Sequence, residues 1–280
     1  MKMLICSIGS KRHENKLRFG AAVARALAAD TTLLGVVPRK RQVEALSQAL
    51  DAVARDLADQ ELPVRVRVEA GRAEDIVLAC MEESPYDLVA FGALGGKRSR
   101  RALLSSVGMR IVERADISVL LIKGDRPSLS RVLIAASGAE QGHMSVRAGA
   151  LLACGAGARA TVLHVVDPMP SMYAGLEQME ETLAELLQSD SDVARELMWA
   201  AGVVGKECKI SELKVRRGMV ADEVLHEGQE GDYDLIVLGS SRSASGLVRV
   251  LMGDLTREIV SRAQRPVLVV RPSEGNDSSA

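Results

Sequence analysis

The chain repeats itself, and that repeat limits what it can fold into. Tyr86-Asp87-Leu88-Val89-Ala90-Phe91-Gly92 returns as Tyr233-Asp234-Leu235-Ile236-Val237-Leu238-Gly239, an offset of 147 residues from Asp87 to Asp234. Each copy continues through a Gly/Ser/Arg-rich loop and a helical stretch to an apolar run, Ile117 to Ile122 and Pro266 to Val270. Solenoid units are only about 20 to 50 residues long, so a repeat of this length means two homologous domains.

The starts of the halves match at a different offset. Lys2 to Gly9 aligns with Arg131 to Gly138, and Leu34 to Val37 with Leu163 to Val166, both at 129 residues. The offset reaches 147 by Gly71 and Gly218, so the second half gains 18 residues between Val166 and Gly218. The Met-Pro-Ser-Met-Tyr segment, with a helical pattern from Leu176 to Leu187, is the natural place for them. The expected division is a first domain over 1–124 and a second over 131–272 with an insertion at about 168–201. Residues 273–280 lack an apolar anchor and read as a disordered tail.

In each half, short apolar runs alternate with segments of helical period. In the first half, strands are expected at Met3–Ile8, Thr32–Val37, Val64–Glu69, Leu88–Gly92 and Val119–Ile122. Helices are expected at Leu17–Ala28, Val43–Leu57, Ala73–Glu82 and Ser105–Arg114. Strands alternating with helices of ten or more residues imply βαβ crossovers, hence an α/β fold with a parallel sheet. Near-continuous Val, Ile and Leu in the strands fits burial on both faces. The linker Gly124 to Ser130 spans at most about 25 Å, so the domains must pack side by side.

Charge and composition exclude several functions. A formal net charge of −1 lacks the basic excess of a phosphate-backbone binder, and 2% aromatic residues offer no stacking platform for single strands. Nucleic acid is therefore not an expected partner. No apolar run reaches transmembrane length, and Met3 to Ile8 is too short for a signal-peptide core, so a cytoplasmic protein is expected. Cys6, Cys80, Cys154 and Cys208 show no C-x-x-C spacing, and three of them sit in apolar strand or helix contexts that read as buried free thiols. The four histidines show no H-x-x-H or H-x-x-x-H spacing, so no metal site is expected. His164 occupies the place of Gly35 and reads as a packing residue or local hydrogen-bond partner. Ser7-Ile8-Gly9-Ser10 lacks nucleophile-elbow spacing, which leaves catalysis without a candidate residue.

In an open parallel sheet, ligands bind beyond the carboxyl ends of the strands where the order reverses. The first-half loop there begins Gly92-Ala93-Leu94-Gly95-Gly96-Lys97 and runs to Ser105-Ser106. Glycines let backbone approach an anion, and a helix beginning near Ser105 offers free N–H groups. Loop, helix and terminal strand together resemble the universal stress protein family. Its nucleotide-binding members carry G-x2-G-x9-G-S/T after the fourth strand and an aspartate at the end of the first. Gly92 and Gly95 match the first two glycines, Ser105 replaces the third, and Ser106 matches the hydroxyl. In the second half Gly239 matches and Ser240 follows it, Ser243 stands for the second glycine, Gly253 matches the third, and Asp254 replaces the hydroxyl.

The resemblance covers nearly the whole chain in both halves. It implies two tandem Rossmann-like domains of the adenine nucleotide alpha hydrolase-like type, each with a five-stranded parallel sheet and helices on both faces. It further implies that the terminal strands meet across a pseudo-twofold axis, giving a built-in dimer that pairs again as a homodimer. ATP or AMP is the candidate ligand, no cofactor being otherwise indicated. Gly92, Gly95, Gly96, Lys97, Ser105 and Ser106 form the candidate site, and Gly239, Ser240, Ser243 and Gly253 a degenerate one.

The binding motif departs from the family pattern. The aspartate position falls on Ile8 and Ser137. A hydrogen bond to a charged group is worth about 1.5–3 kcal/mol, so its loss weakens binding roughly ten- to over a hundredfold. Lys97, Arg98, Arg100 and Arg101 favour a polyanion in the first half, whereas Asp254 repels one in the second. Two expectations stand. One is a non-catalytic stress-response regulator or scaffold that meets an unidentified regulatory protein. The other is an ATP or AMP sensor, at most a slow ATPase, using the first-half loop. A third reading rests on Met169, Met172, Met179 and Met198: an apolar ligand held under the second-domain insertion.

Overall fold

A computed structural model describes residues 1–8, 14–92, 111, 115–126, 128–137, 140–166, 187–207, 211–240 and 255–272. The first half contains β1 (Lys2–Ile8), α1 (Glu14–Ala26), β2 (Asp30–Val37), α2 (Val43–Asp59), β3 (Val64–Ala70), α3 (Ala73–Glu83), β4 (Leu88–Gly92) and β5 (Ser118–Ile122). The second contains β6 (Arg131–Ala136), α4 (Glu140–Ala156), β7 (Arg159–Val166), α5 (Asp192–Glu207), β8 (Ser211–Arg217), α6 (Val220–Glu230), β9 (Leu235–Gly239), α7 (255–262) and β10 (Val267–Val270). The expected helix Ser105–Arg114 lies outside the described residues apart from Ile111. The same holds for Leu176–Leu187 apart from Leu187.

The strands form one sheet of ten, in the order β3-β2-β1-β4-β5-β10-β9-β6-β7-β8. Within each half every neighbouring pair is parallel. The junction alone is antiparallel: Val267 faces Leu121, Leu268 faces Leu120 and Val269 faces Val119. The two five-stranded sheets are thus fused edge to edge. Pairing covers two strands, Ser-Val-Leu-Leu-Ile and Val-Leu-Val-Val, that would otherwise be apolar exposed edges. The outer edges, β3 and β8, carry Arg65 and Arg67 or Lys214 and Arg216, charges that discourage further strand addition.

Both cores run across the junction. On one face α1, α2, α4 and α5 cover alternate strand residues such as Ile5, Leu33, Leu120, Ile134 and Leu268. On the other, α3, α6 and α7 cover Leu4, Val89, Leu133, Ile236 and Val269. Helix α2 shows the pattern that places it: Leu46, Leu50 and Leu57 share one stripe and are buried. Helix α5 packs on β7 and β8 as α2 packs on β2 and β3, so the extra residues of the second half lie ahead of Asp192. Across the halves α1 meets α4 closely. A Cβ added at Gly155 would lie 1.8 Å from the Ala26 carbonyl oxygen.

The repeated Tyr-Asp-Leu motif serves this architecture. The Asp87 carboxylate accepts the Lys2 N–H at 2.7 Å, tying β4 to the start of β1. Asp234 does the same for β6, accepting the N–H groups of Ser130 at 2.8 Å and Arg131 at 3.1 Å. It also holds the linker, through Arg126 at 2.8 Å. Tyr233 is fully buried and donates its hydroxyl to Glu227 at 3.1 Å. That carboxylate also accepts from Lys214 and Arg216, at 2.9 and 2.7 Å.

Cys6 and Cys80 are buried, as expected, while Cys154 is exposed on α4. Among the described residues no helix is long and apolar enough to cross a membrane.

Candidate functional site

In each half the strand order reverses between the first and fourth strands, and the ligand crevice of such a sheet opens at their carboxyl ends. In the first half a small cavity lies there, bounded by Ser7 and Ile8 of β1, Lys16 and Leu17 of α1, and Gly92 of β4. Its volume is about 10 Å³, room for one water and no more. Gly92 ends β4 opposite Ile122. A Cβ added to it would fall 2.5 Å from Cδ of Lys16, so the glycine makes room for the lysine stem. Ile8 brings an aliphatic wall to this cavity.

Lys16 is the residue that sequence reading missed. It is partly buried, and burial pushes its ammonium below the ordinary lysine value, while the Asp125 carboxylate on the linker opposes that shift. The apolar stripe of α1 begins at Leu17, and the expected helix began there; the structure starts it at Glu14, placing Lys16 in the first turn. A cation there opposes the helix dipole, a misfit that shows only once the helix start is known. Cys6 borders the same cavity, but burial drives its thiol strongly upward, so it offers no thiolate nucleophile.

The second half closes its crevice differently. Ser145, the counterpart of Lys16, is fully buried, and its hydroxyl donates locally, with the Ala135 and Gly142 carbonyls each 2.9 Å away. Helix α4 presses on the end of β6: a Cβ on Gly142 would lie 1.9 Å from the Ser137 carbonyl oxygen. Gly239 ends β9 opposite Val270, and the Ser240 N–H donates to the Val270 carbonyl at 2.9 Å, so both continue the sheet.

Of the expected site residues, Gly92, Gly239 and Ser240 stand at the crevices. Gly95, Gly96, Lys97, Ser105, Ser106, Ser243 and Gly253 lie outside the described residues. Among the described residues no group of three or more His, Cys, Asp or Glu could hold a metal ion.

Comparison with known proteins agrees with this fold. The model of the universal stress protein family matches residues 1–123 and again 129–271. A Thermus aquaticus universal stress protein, encoded in the 3′ region of a QAH/OAS sulfhydrylase, is 28% identical over 140 residues, covering 50% of this chain and 97% of the relative. The crystal structure of an Archaeoglobus fulgidus universal stress protein superposes with a TM-score of 0.65 at 17% identity, covering 98% of this chain and 97% of that one. A candidate universal stress protein of Pseudomonas aeruginosa gives 0.73 at 16% identity, covering 97% and 93%.

Proposed function

Because the chain belongs to the universal stress protein family, with a matched domain in each half, we propose that it is a stress-response regulator of scaffold type. It acts through protein contacts, without catalysis, and both nucleotide crevices are degenerate. The observation that carries this reading is the Lys16 stem lying over Gly92 at the carboxyl end of β4, with only a small cavity beneath it. The second half supports it, since α4 sits on Ser137 and supplies no cation at the crevice. The two halves share both cores and so meet a partner as one body.

A second reading, ATP or AMP sensing through the first-half loop, draws support from the Lys16 ammonium, a cation at the mouth of that crevice. Calorimetric titration with ATP and AMP decides between them. The scaffold reading expects no heat from wild type at millimolar ligand, and a gain of weak binding when Lys16→Ala opens the cavity. Saturable micromolar binding by wild type that Gly95→Val abolishes would overturn it in favour of the sensor.

A further inference from the structure

The halves differ sharply at one position inside the sheet. Gly35 of β2 has His164 of β7 as its counterpart. In the first half α2 fills the space with leucine: a Cβ on Gly35 would lie 2.8 Å from side-chain carbons of both Leu46 and Leu50. In the second half the same layer holds titratable groups from three elements. His164, 8% exposed, stands between Ala136 of β6 and Val215 of β8. Glu196 reaches in from α5, and its Oε2 lies 2.8 Å from Nε2 of His143 on α4. The His143 ring stacks on Trp199 at a centroid distance of 4.0 Å, and the Arg147 guanidinium lies 5.8 Å from the same ring.

Among the described residues, two buried atoms of this cluster have no hydrogen-bond partner, Nδ1 of His164 and Oε1 of Glu196. An unpaired polar atom in a low-dielectric layer costs stability, and the first half packs the same layer with leucine. The fold therefore does not call for the cluster.

We propose that His164, with the Glu196 carboxylate that His143 holds in the same layer, is a proton-binding position that loosens α5 from the sheet in mildly acid surroundings. Burial holds the His164 imidazole below its ordinary value, with Ala136 backbone and the Glu196 carboxylate opposing that shift. The closed form thus binds a proton less well than a form in which His164 meets water, and proton uptake favours the open form. Closure is fully stabilised above the ordinary histidine value of 6.5 and weakens as pH falls from there toward the depressed value. The groups around His164 set the size of this response. From α5 comes one carboxylate, Glu196, which His143 of α4 already engages, while Arg147 of α4 is exposed and lies against the Trp199 ring. From β6 and β8 come only Ala136 and Val215 alongside, with Arg217 exposed two residues farther on.

Amide hydrogen exchange over residues 192–207, corrected for intrinsic rates, tests this on the full chain between about pH 7.5 and pH 5. Emission of Trp199, the single tryptophan, gives a second readout. Faster exchange in α5 and a red shift are expected, with a midpoint below 6.5. His164→Leu, which removes the titratable group and leaves an apolar side chain in the layer, should flatten both. His143→Gln keeps a donor for Glu196 and should leave the exchange transition in place. Glu196→Gln removes the charge that favours protonated His164 and should move the midpoint to lower pH. A wild type without pH dependence, or the same transition in His164→Leu, overturns the proposal. If His164→Leu lacks native circular dichroism at neutral pH, the Glu196→Gln shift decides, and an upward shift or none overturns it.

Discussion

Lys123 follows β5, is 7% exposed, and donates its ammonium hydrogens to the carbonyls of Val260 and Ala263, the latter at 2.9 Å. Those carbonyls close α7, so a residue of the first half caps a helix of the second, with positive charge at the helix C-terminus. Burial lowers its pKa from 10.5 to about 8. Between these values the unfolded chain holds the proton that the folded chain has released, so stability rises with pH across that window. Below about 8 both states are charged and the contribution is flat. The rise is at most about 3 kcal/mol, because the two carbonyls favour the charged form. Chemical denaturation of wild type and Lys123→Met should therefore diverge as pH is raised from 8 to 10.5, with wild type gaining relative to the variant; parallel curves would refute the assignment. Neither Lys123 nor Lys16 stood out in the sequence. A single lysine reads as a solvated surface charge unless the elements around it are known, and both of these acquire their roles from a neighbouring element.

The elements themselves were far more legible. Strands buried on both faces announce themselves as continuous apolar runs, and all five expected in the first half were found within two residues of their bounds. Helix ends were less legible, because the polar first turn of α1 carries no periodic signal. The crevice glycine was visible as Gly92, but the lysine stem lying over it was not. Helix contacts between the halves were not legible at all. Gly155 looks like any helical glycine, yet the Ala26 carbonyl leaves no space for a Cβ, and backbone cannot rotate aside. Gly155→Val should cost about 1–3 kcal/mol through overpacking between α1 and α4. Gly202→Ala on α5 is the opposite case, with nothing within 4 Å of the added carbon. It should raise stability by up to about 1 kcal/mol through helix propensity. Equilibrium denaturation of both variants checks the contrast, and like signs would contradict the contact.

At the scale of the molecule, the pseudo-twofold axis passes through the Leu120–Leu268 pair, each of which is the other's counterpart in the repeat. A junction built from equivalent residues is close to isologous, so either half carries nearly the whole recognition surface of the other. Expressed alone, residues 1–124 would expose the β5 edge, Ser-Val-Leu-Leu-Ile, buried at four of its five positions in the intact chain. An unpaired apolar edge recruits another strand, and an antiparallel β5–β5 pairing centred on Leu120 repeats the native register with one sequence in both roles. Sedimentation of this half should show a dimer that dissociates on dilution. Leu120→Lys, which would place two like charges opposite each other at the axis, should yield a monomer. A wild-type half that stays monomeric at high concentration with native circular dichroism would mean that the junction draws its strength from helix contacts and the Lys123 cap.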